Sequence, residues 1–390
     1  MPQWGRAIDS AQVERPMRVL HLVTGLAQGG AERQLYLLLE GLDRERFEPV
    51  VLVRHATSRD FWTDPIRELG FPVIELPGAW PAIRRFWRVW REVCRLRPDI
   101  LQGWTLWTNP QMAVLGRLAG VPVRLGSLRC NLYRMGRGAL ERWITSRGLD
   151  CIVANSTKGR RDLLGLGVPE ERVEVIYNAV RREFEFDTMD RLTVRRQWNA
   201  GPQDVVLAAI GNLTPPKNYP LLIAAVHALR KREWPVKAVV FGEGPLRPEL
   251  EAQIRSAGLQ QHISLRGQDP KARIWVGAAD IFVLTSWGEG MANALLEGAL
   301  AGLPLVTTAV GGADDIVIEG ETGHVVPVND RDALVRTVER LLANPERRVA
   351  LGRRARDHVL AEFSQARMVG CFQALYERLW VRKNSGARFR

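Results

Sequence analysis

Between Thr285 and Gly312 the chain reads TSWGEGMANALLEGALAGLPLVTTAVGG, with two carboxylates, Glu289 and Glu297, eight residues apart. Glu289 follows the apolar run Ile281-Phe282-Val283-Leu284, short enough for a buried parallel strand, and stands in the glycine-bounded loop Gly288-Glu289-Gly290. Glu297 falls about two turns into the Ala/Leu-rich helix expected from Met291, which Gly302-Leu303-Pro304 stops. Carboxylates accept hydrogen bonds from hydroxyls, and the free N–H groups that open a helix suit a phosphate. A ligand with hydroxyls at both ends and a diphosphate between them, as in a nucleotide sugar, matches that order of groups. Two glutamates at this spacing alone would more often mark a solvated helix face. The strand before them and the Gly-x-Pro stop after them make the block specific.

Lys217 offers the complementary cation. It ends the turn Gly211-Asn212-Leu213-Thr214-Pro215-Pro216, whose prolines fix the path of the chain. An isolated lysine is ordinarily a solvated surface group. Here it follows an expected strand at a switch point, where α/β sheets bind ligands, so we expect it on a diphosphate. In the first half, Gly25 to Gly30 forms a glycine loop after the first expected strand. Its spacing is neither Gly-x-Gly-x-x-Gly nor Gly-x4-Gly-Lys-Ser/Thr, which excludes dinucleotide and P-loop readings. Gly29-Gly30 still lets a ligand approach the backbone where a helix starts.

Together these segments resemble the retaining glycosyltransferases of family 4, enzymes with the GT-B fold. The Glu-x7-Glu block is similar to that family's signature, and residues 23–33 resemble its N-terminal glycine loop. Ala154-Asn155-Ser156 and residues 175–180 resemble the end of its first domain, and Gly211-Asn212-Leu213 with Lys217-Asn218 its phosphate-binding turn. The resemblance implies an α/β protein with two doubly wound, Rossmann-like parallel-sheet domains facing a cleft. An arm over 1–16 would precede an acceptor-binding domain over 17–185 and a nucleotide-sugar domain over 186–365. A C-terminal helix with its tail, 366–390, would cross back to the first domain. The implied function is transfer of a sugar from a nucleotide-diphosphate sugar to a glycan or lipid-linked acceptor. A nucleotide-sugar epimerase on the same two-domain fold is the alternative.

By the same resemblance, Glu297 holds the ribose hydroxyls and Glu289 contacts the sugar, with the N–H groups of Gly290, Met291 and Ala292 close by. Gly267 meets the base, and Asn212 and Lys217 meet the diphosphate, with Glu289 and Lys217 as the catalytic pair. Gly29, Gly30, Gln102, Trp104, Arg129 and Asn131 belong to the acceptor side. Neither metal nor cofactor is expected, because protein cations and dipoles take that role. Two positions depart from the family pattern. Asn212 stands where arginine is common, and Gln102-Gly103-Trp104 where many relatives have His-x-His. The second change removes a histidine base and points to a different acceptor pocket. There Trp104 either stacks on a sugar ring or belongs to the core.

The elements that must position these groups alternate along the chain. Strands are expected over 18–23, 49–53, 71–76, 99–102, 123–128, 150–154 and 174–176, with helices over 31–42, 83–97 and 110–119. Residues 181–198, charged and aperiodic, read as the interdomain segment. The alternation then restarts, with strands over 205–210, 238–242, 263–265, 281–285 and 305–307. Helices over 220–232, 248–257, 271–278 and 291–301 lie between them, and 331–343, 346–362 and 365–380 follow.

A chain of 390 residues suits two such domains rather than one core. No apolar run approaches the ~20 residues of a membrane span, so a cytoplasmic protein is expected. The four cysteines and six histidines show no metal or redox spacing. Much of the net charge of +12 lies in the first half. No nucleic-acid motif accompanies it, and nucleic acid is not an expected partner. Residues 83–97 read IRRFWRVWREVCRLR. Such a helix suits either the inner face of an anionic membrane, bound peripherally, or ordinary packing with Trp87, Trp90 and Val93 facing the core.

Overall fold

The computed structural model describes residues 15–58, 60–130, 139–181 and 191–385. The chain divides into two compact units. Unit 1 takes the chain up to Tyr177 together with residues 365–390, and unit 2 runs from Asn178 to Ser364.

Unit 1 holds strands β1 (Met17–Val23), β2 (Phe47–Ala56), β3 (Val73–Pro77), β4 (Ile100–Gly103), β5 (Val123–Leu128), β6 (Cys151–Ala154) and β7 (Val173–Val175). They form one parallel sheet in the order β3-β2-β1-β4-β5-β6-β7. Buried runs such as MRVLHLV in β1 are what a parallel sheet covered on both faces requires. The crossovers are α1 (Gly30–Gly41), α2 (Thr63–Glu68), α3 (Ala82–Leu96), α4 (Asn109–Leu118), α5 (Ala139–Gly148) and α6 (Thr157–Gly165).

Unit 2 opens with α7 (Arg191–Gln197) and repeats the scheme through β8 (Val205–Ile210), α8 (Tyr219–Lys231), β9 (Val236–Phe241), α9 (Arg247–Ser256) and β10 (Ile263–Leu265). Next come α10 (Ala272–Trp275), β11 (Ile281–Leu284), α11 (Asn293–Leu300), β12 (Leu305–Thr308), α12 (Ala313–Ile316) and β13 (Gly323–Val326). Helices α13 (Arg331–Leu342) and α14 (Pro345–Glu362) close the unit, capped by Asp330 and Asn344 side chains that accept from Ala333 and Arg347 N–H groups. Its six strands run in the order β10-β9-β8-β11-β12-β13, the doubly wound arrangement in which strand order reverses at β8. Helix α15 (Gln365–Asn384) then returns to unit 1. There the Gln365 amide donates to Leu37 O at 2.8 Å and to Glu40 Oε2 at 2.9 Å.

Several local expectations change. Residues 191–197, read as part of a linker, form α7 and dock on unit 2 through buried Arg195. Its guanidinium donates to Asp280 Oδ2 at 2.8 Å and Ala278 O at 3.2 Å. Charged sequence hid this helix because its anchor is an ion pair rather than an apolar stripe. Residues 182–190 lie outside the described residues. Helices α2, α5, α6 and α12 also went unread; α2 and α12 are too short to show a period, and α6 has four charged residues among its nine. On α3, Val93 is buried and Trp90 packs on the core, but Trp87 is 55% exposed. Among the described residues, no helix is long and apolar enough to cross a membrane.

Helix α11 lies unusually close to β11. A Cβ on Gly298 would come within 2.3 Å of Phe282 Cγ, the root of a ring that has no room to swing away. Gly298→Ala should therefore push α11 off the sheet, costing about 1–3 kcal/mol. The measurement is the midpoint of unit 2 unfolding in urea, expected to fall.

Candidate active site

The carboxyl ends of β8, β9 and β10 are drawn together by glycines. A Cβ on Gly242 would sit 2.0 Å from Gly211 O, so the loops after β8 and β9 touch backbone to backbone. Gly242 N–H donates to Gly267 O at 2.7 Å, bringing in the loop after β10. The Tyr219 hydroxyl donates to Gly211 O at 2.8 Å, tying the start of α8 to the same point. Burial, with the nearby charge of Glu289, pushes the Tyr219 phenol far above its usual range, so it remains a donor. Asn212 is exposed on this turn.

Lys217 ends a one-turn 3-10 segment, after which Asn218 takes a left-handed φ of 51° and α8 begins. Its ammonium meets Glu289 Oε1 at 2.6 Å, and the Ser286 hydroxyl donates to that same oxygen at 2.8 Å. Trp287 N–H bonds Pro216 O at 2.9 Å, and the Thr285 hydroxyl bonds Lys217 O at 3.0 Å. The turn after β8 and the loop after β11 are thus lashed together where strand order reverses. From the next loop, Gly312 N–H donates to Gly290 O at 2.6 Å. A Cβ on Gly311 would lie 2.1 Å from that oxygen.

Helix α11 starts two residues later than expected, at Asn293, with no side chain capping its N-terminus. The N–H groups of Gly290, Met291 and Ala292 have no acceptor among the described residues. Asn178 holds this entry: its amide donates to Asn293 Oδ1 at 2.7 Å and to Met291 O at 3.3 Å. Glu297, 7% exposed, receives Arg273 Nε from α10 at 2.8 Å. Gly267 has φ +77°, a conformation suited to glycine, and lies beside the Glu243–Arg247 ion pair of 2.6 Å.

In unit 1 a buried polar cluster forms at the ends of β1, β4 and β5. Trp104 Nε1 donates to His21 Nδ1 at 3.0 Å, Tyr376 of α15 donates to Gln102 Oε1, and the Arg129 guanidinium lies 4.2 Å over the Trp104 ring. Burial pulls the Arg129 pKa down to about 10. Trp104 is 1% exposed. Of the two roles open to it, the structure selects core: the guanidinium covers the ring, and no face is left for a sugar. Gln102 is likewise fully buried. Gly29 caps α1 in extended conformation, with the Glu32 carboxylate folded over it, and Gly30 is the first residue of α1. Burial raises the Glu32 carboxyl, opposed in part by Arg129. Asn131 lies outside the described residues.

The sequence reading missed Ser286, Asn178, Arg273, His21 and Tyr376. Asn178 lay inside a segment already singled out. Ser286 likewise lay inside the Thr285–Gly312 block, whereas Arg273, His21 and Tyr376 have no motif of their own and reach their partners only through the fold.

Two family models match the chain: "Glycosyltransferase Family 4" over residues 28–184 and "Glycosyl transferases group 1" over residues 190–358. The chain is similar to the lipopolysaccharide core biosynthesis glycosyltransferase LpsE of Rhizobium meliloti, 26% identical across 92% of this chain and 98% of that one. It is also similar to the 2-deoxystreptamine glucosyltransferase of Streptomyces kanamyceticus, 26% identical across 93% and 98%. Among solved structures, Anabaena Alr3699/HepE in complex with UDP-glucose superposes with a TM-score of 0.81 at 19% identity, over 93% of this chain and 100% of that one. At that identity the likeness speaks for the fold. Two parallel-sheet domains of this kind are those of a GT-B glycosyltransferase. The chain belongs to glycosyltransferase family 4.

Burial depresses the His21 pKa from 6.5 to about 3. The native chain then stays neutral there while the unfolded chain takes up a proton, so stability falls as pH drops from about 6.5 toward 3. The slope from this group is up to about 1.4 kcal/mol per pH unit. His21→Asn, which keeps an acceptor for Trp104, should show a shallower loss of unfolding midpoint between pH 6.5 and 4. Equal slopes would mean that His21 is protonated in the fold.

Proposed function

We propose that this glycosyltransferase takes its sugar from a nucleotide-diphosphate donor and transfers it, with retention of anomeric configuration, to a glycan or lipid-linked acceptor. The observation that carries the reading is the meeting of Lys217 and Glu289 at 2.6 Å beside three N–H groups that lack an acceptor among the described residues. A cation and backbone dipoles placed together suit the charge that develops on a departing diphosphate. Glu289, with Oε1 engaged by Lys217 and Ser286, accepts from sugar hydroxyls. Glu297 accepts from the ribose hydroxyls, sharing its carboxylate with Arg273. Gly267 meets the base, and Asn212 faces the diphosphate as a neutral donor.

In the step itself, the bond from the anomeric carbon to the phosphate oxygen breaks. The acceptor oxygen bonds to the same face, and its proton passes to the departing phosphate. No histidine base is needed, in keeping with Gln102 where many relatives carry one. Lys217 and the amides perform the charge stabilisation a metal would otherwise supply, so turnover in chelator is part of the proposal. On the acceptor side, Gly29, Gly30 and Arg129 remain the candidates. An envelope glycan or its lipid-linked precursor is supported by the likeness to LpsE, a glycosyltransferase of lipopolysaccharide core biosynthesis. A sugar nucleotide is supported by the UDP-glucose complex of the Anabaena neighbour. No observation favours the epimerase.

The test is a donor screen by thermal shift, followed by turnover with the stabilising donor. Lys217→Ala should lower kcat by about 10²–10³. Glu297→Ala should weaken binding of the free nucleotide diphosphate with the fold intact. Unchanged values for both would end the assignment, and an inverted anomeric signal in the product by NMR would end retention. Asn212→Arg should tighten donor binding about tenfold, the gain from replacing a neutral hydrogen bond with a charge-assisted one. A loss of affinity would mean that another group already occupies that position.

A further inference from the structure

We propose that the outer face of α3 docks unit 1 on an anionic lipid surface, Ile83 and Trp87 entering the interface and arginines binding the headgroups. Ile83 and Trp87 stand one turn apart and are 65% and 55% exposed, among the most exposed large apolar side chains described. Continuing at four-residue intervals, the same stripe carries Arg91 and Arg95, both exposed, and Arg84 adjoins Ile83. No acidic residue lies on the stripe. The helix's one carboxylate, Glu92, is buried and accepts from Arg88 at 3.0 Å and Arg95 at 2.7 Å.

Packing holds this face rigid. The Trp87 ring stands edge-on to Trp90, centroids 5.7 Å apart, and Trp90 packs on the unit 1 core. The Arg84 guanidinium lies 4.1 Å over the Trp80 ring, so its charge is fixed beside the apolar pair. An exposed Trp and Ile with cations around them is the make-up of a helix lying in a membrane interface. Charge decides among occupants. Paired with a second copy of itself, this face would set arginines against arginines. An anionic bilayer answers the cations and the apolar pair at once. The proposal rests on unit 1 and is independent of the donor site in unit 2.

The experiment is sedimentation of the full chain with vesicles of phosphatidylcholine alone and with added phosphatidylglycerol, at low and high salt. The protein should sediment with the anionic vesicles at low salt and be released by high salt. Ile83→Asn/Trp87→Ser should remain in the supernatant. Arg84→Gln/Arg91→Gln should bind about 25-fold more weakly, roughly fivefold for each arginine. All three proteins should share one unfolding midpoint and one stabilisation by nucleotide diphosphate, which separates lost docking from lost fold. A wild-type chain that ignores anionic vesicles overturns the proposal, as does Ile83→Asn/Trp87→Ser binding them equally well. A wild-type dimer that this variant breaks, without vesicle binding, overturns it in favour of self-association.

Discussion

The site in unit 2 depends on one ammonium–carboxylate contact at the seam between β8 and β11. These strands are neighbours, and the chain leaves each of them into a separate turn and helix. Left alone, two such turns would splay. Lys217 and Glu289 close the seam at 2.6 Å, and the Trp287–Pro216 and Thr285–Lys217 bonds pull the backbones into register beneath them. The ion pair's side chains are 21% and 15% exposed, and the desolvation of such a pair offsets much of its attraction, so it adds little to global stability. Its effect here is local: it fixes where a carboxylate and a cation stand relative to the start of α11. The glycines do the complementary steric work. Gly242, Gly311 and Gly298 each occupy a place where a Cβ would strike backbone or a ring root, so three loops and a helix converge more tightly than other residues allow.

Unit 1 reaches its arrangement by a different balance. Its polar groups at the strand ends are buried against one another instead of being spread along an open turn. His21, Gln102, Trp104, Arg129 and Tyr376 share hydrogen bonds and a cation–π contact. Burying polar groups is costly unless they pair, so this cluster constrains which side chains these strand ends tolerate. Gln102 and Trp104, on either side of Gly103, both serve this interior network.

Much of the architecture could be read from strand runs alone, because buried parallel strands such as Ile281–Leu284 and Val205–Ile210 are continuous apolar blocks between glycine-rich turns. The positions of Glu289 and Lys217 just past strands, and of Glu297 inside a helix, were legible because the strand and helix pattern sets them. What escaped reading depended on tertiary contact. Arg195 looks like one more charge in a charged stretch until Asp280 meets it. Trp104 could have been a platform or core, and only Arg129, from another strand end, decides. Arg273 has no signature at all; its partner Glu297 lies beyond an intervening strand. Short helices such as α2 and α12 contain too few residues to declare a period.

The return of α15 has a consequence for how the protein is made. Phe372 and Tyr376 are fully buried in unit 1, and the ring of Phe372 lies 5.9 Å from that of Trp104. The segment up to Tyr177 therefore leaves the ribosome carrying a sheet whose filling is encoded about two hundred residues further along the chain. At about 5–20 residues per second, the nascent N-terminal half waits roughly ten to forty seconds for it. Unit 2, contiguous in the chain, can close before α15 is there to complete unit 1.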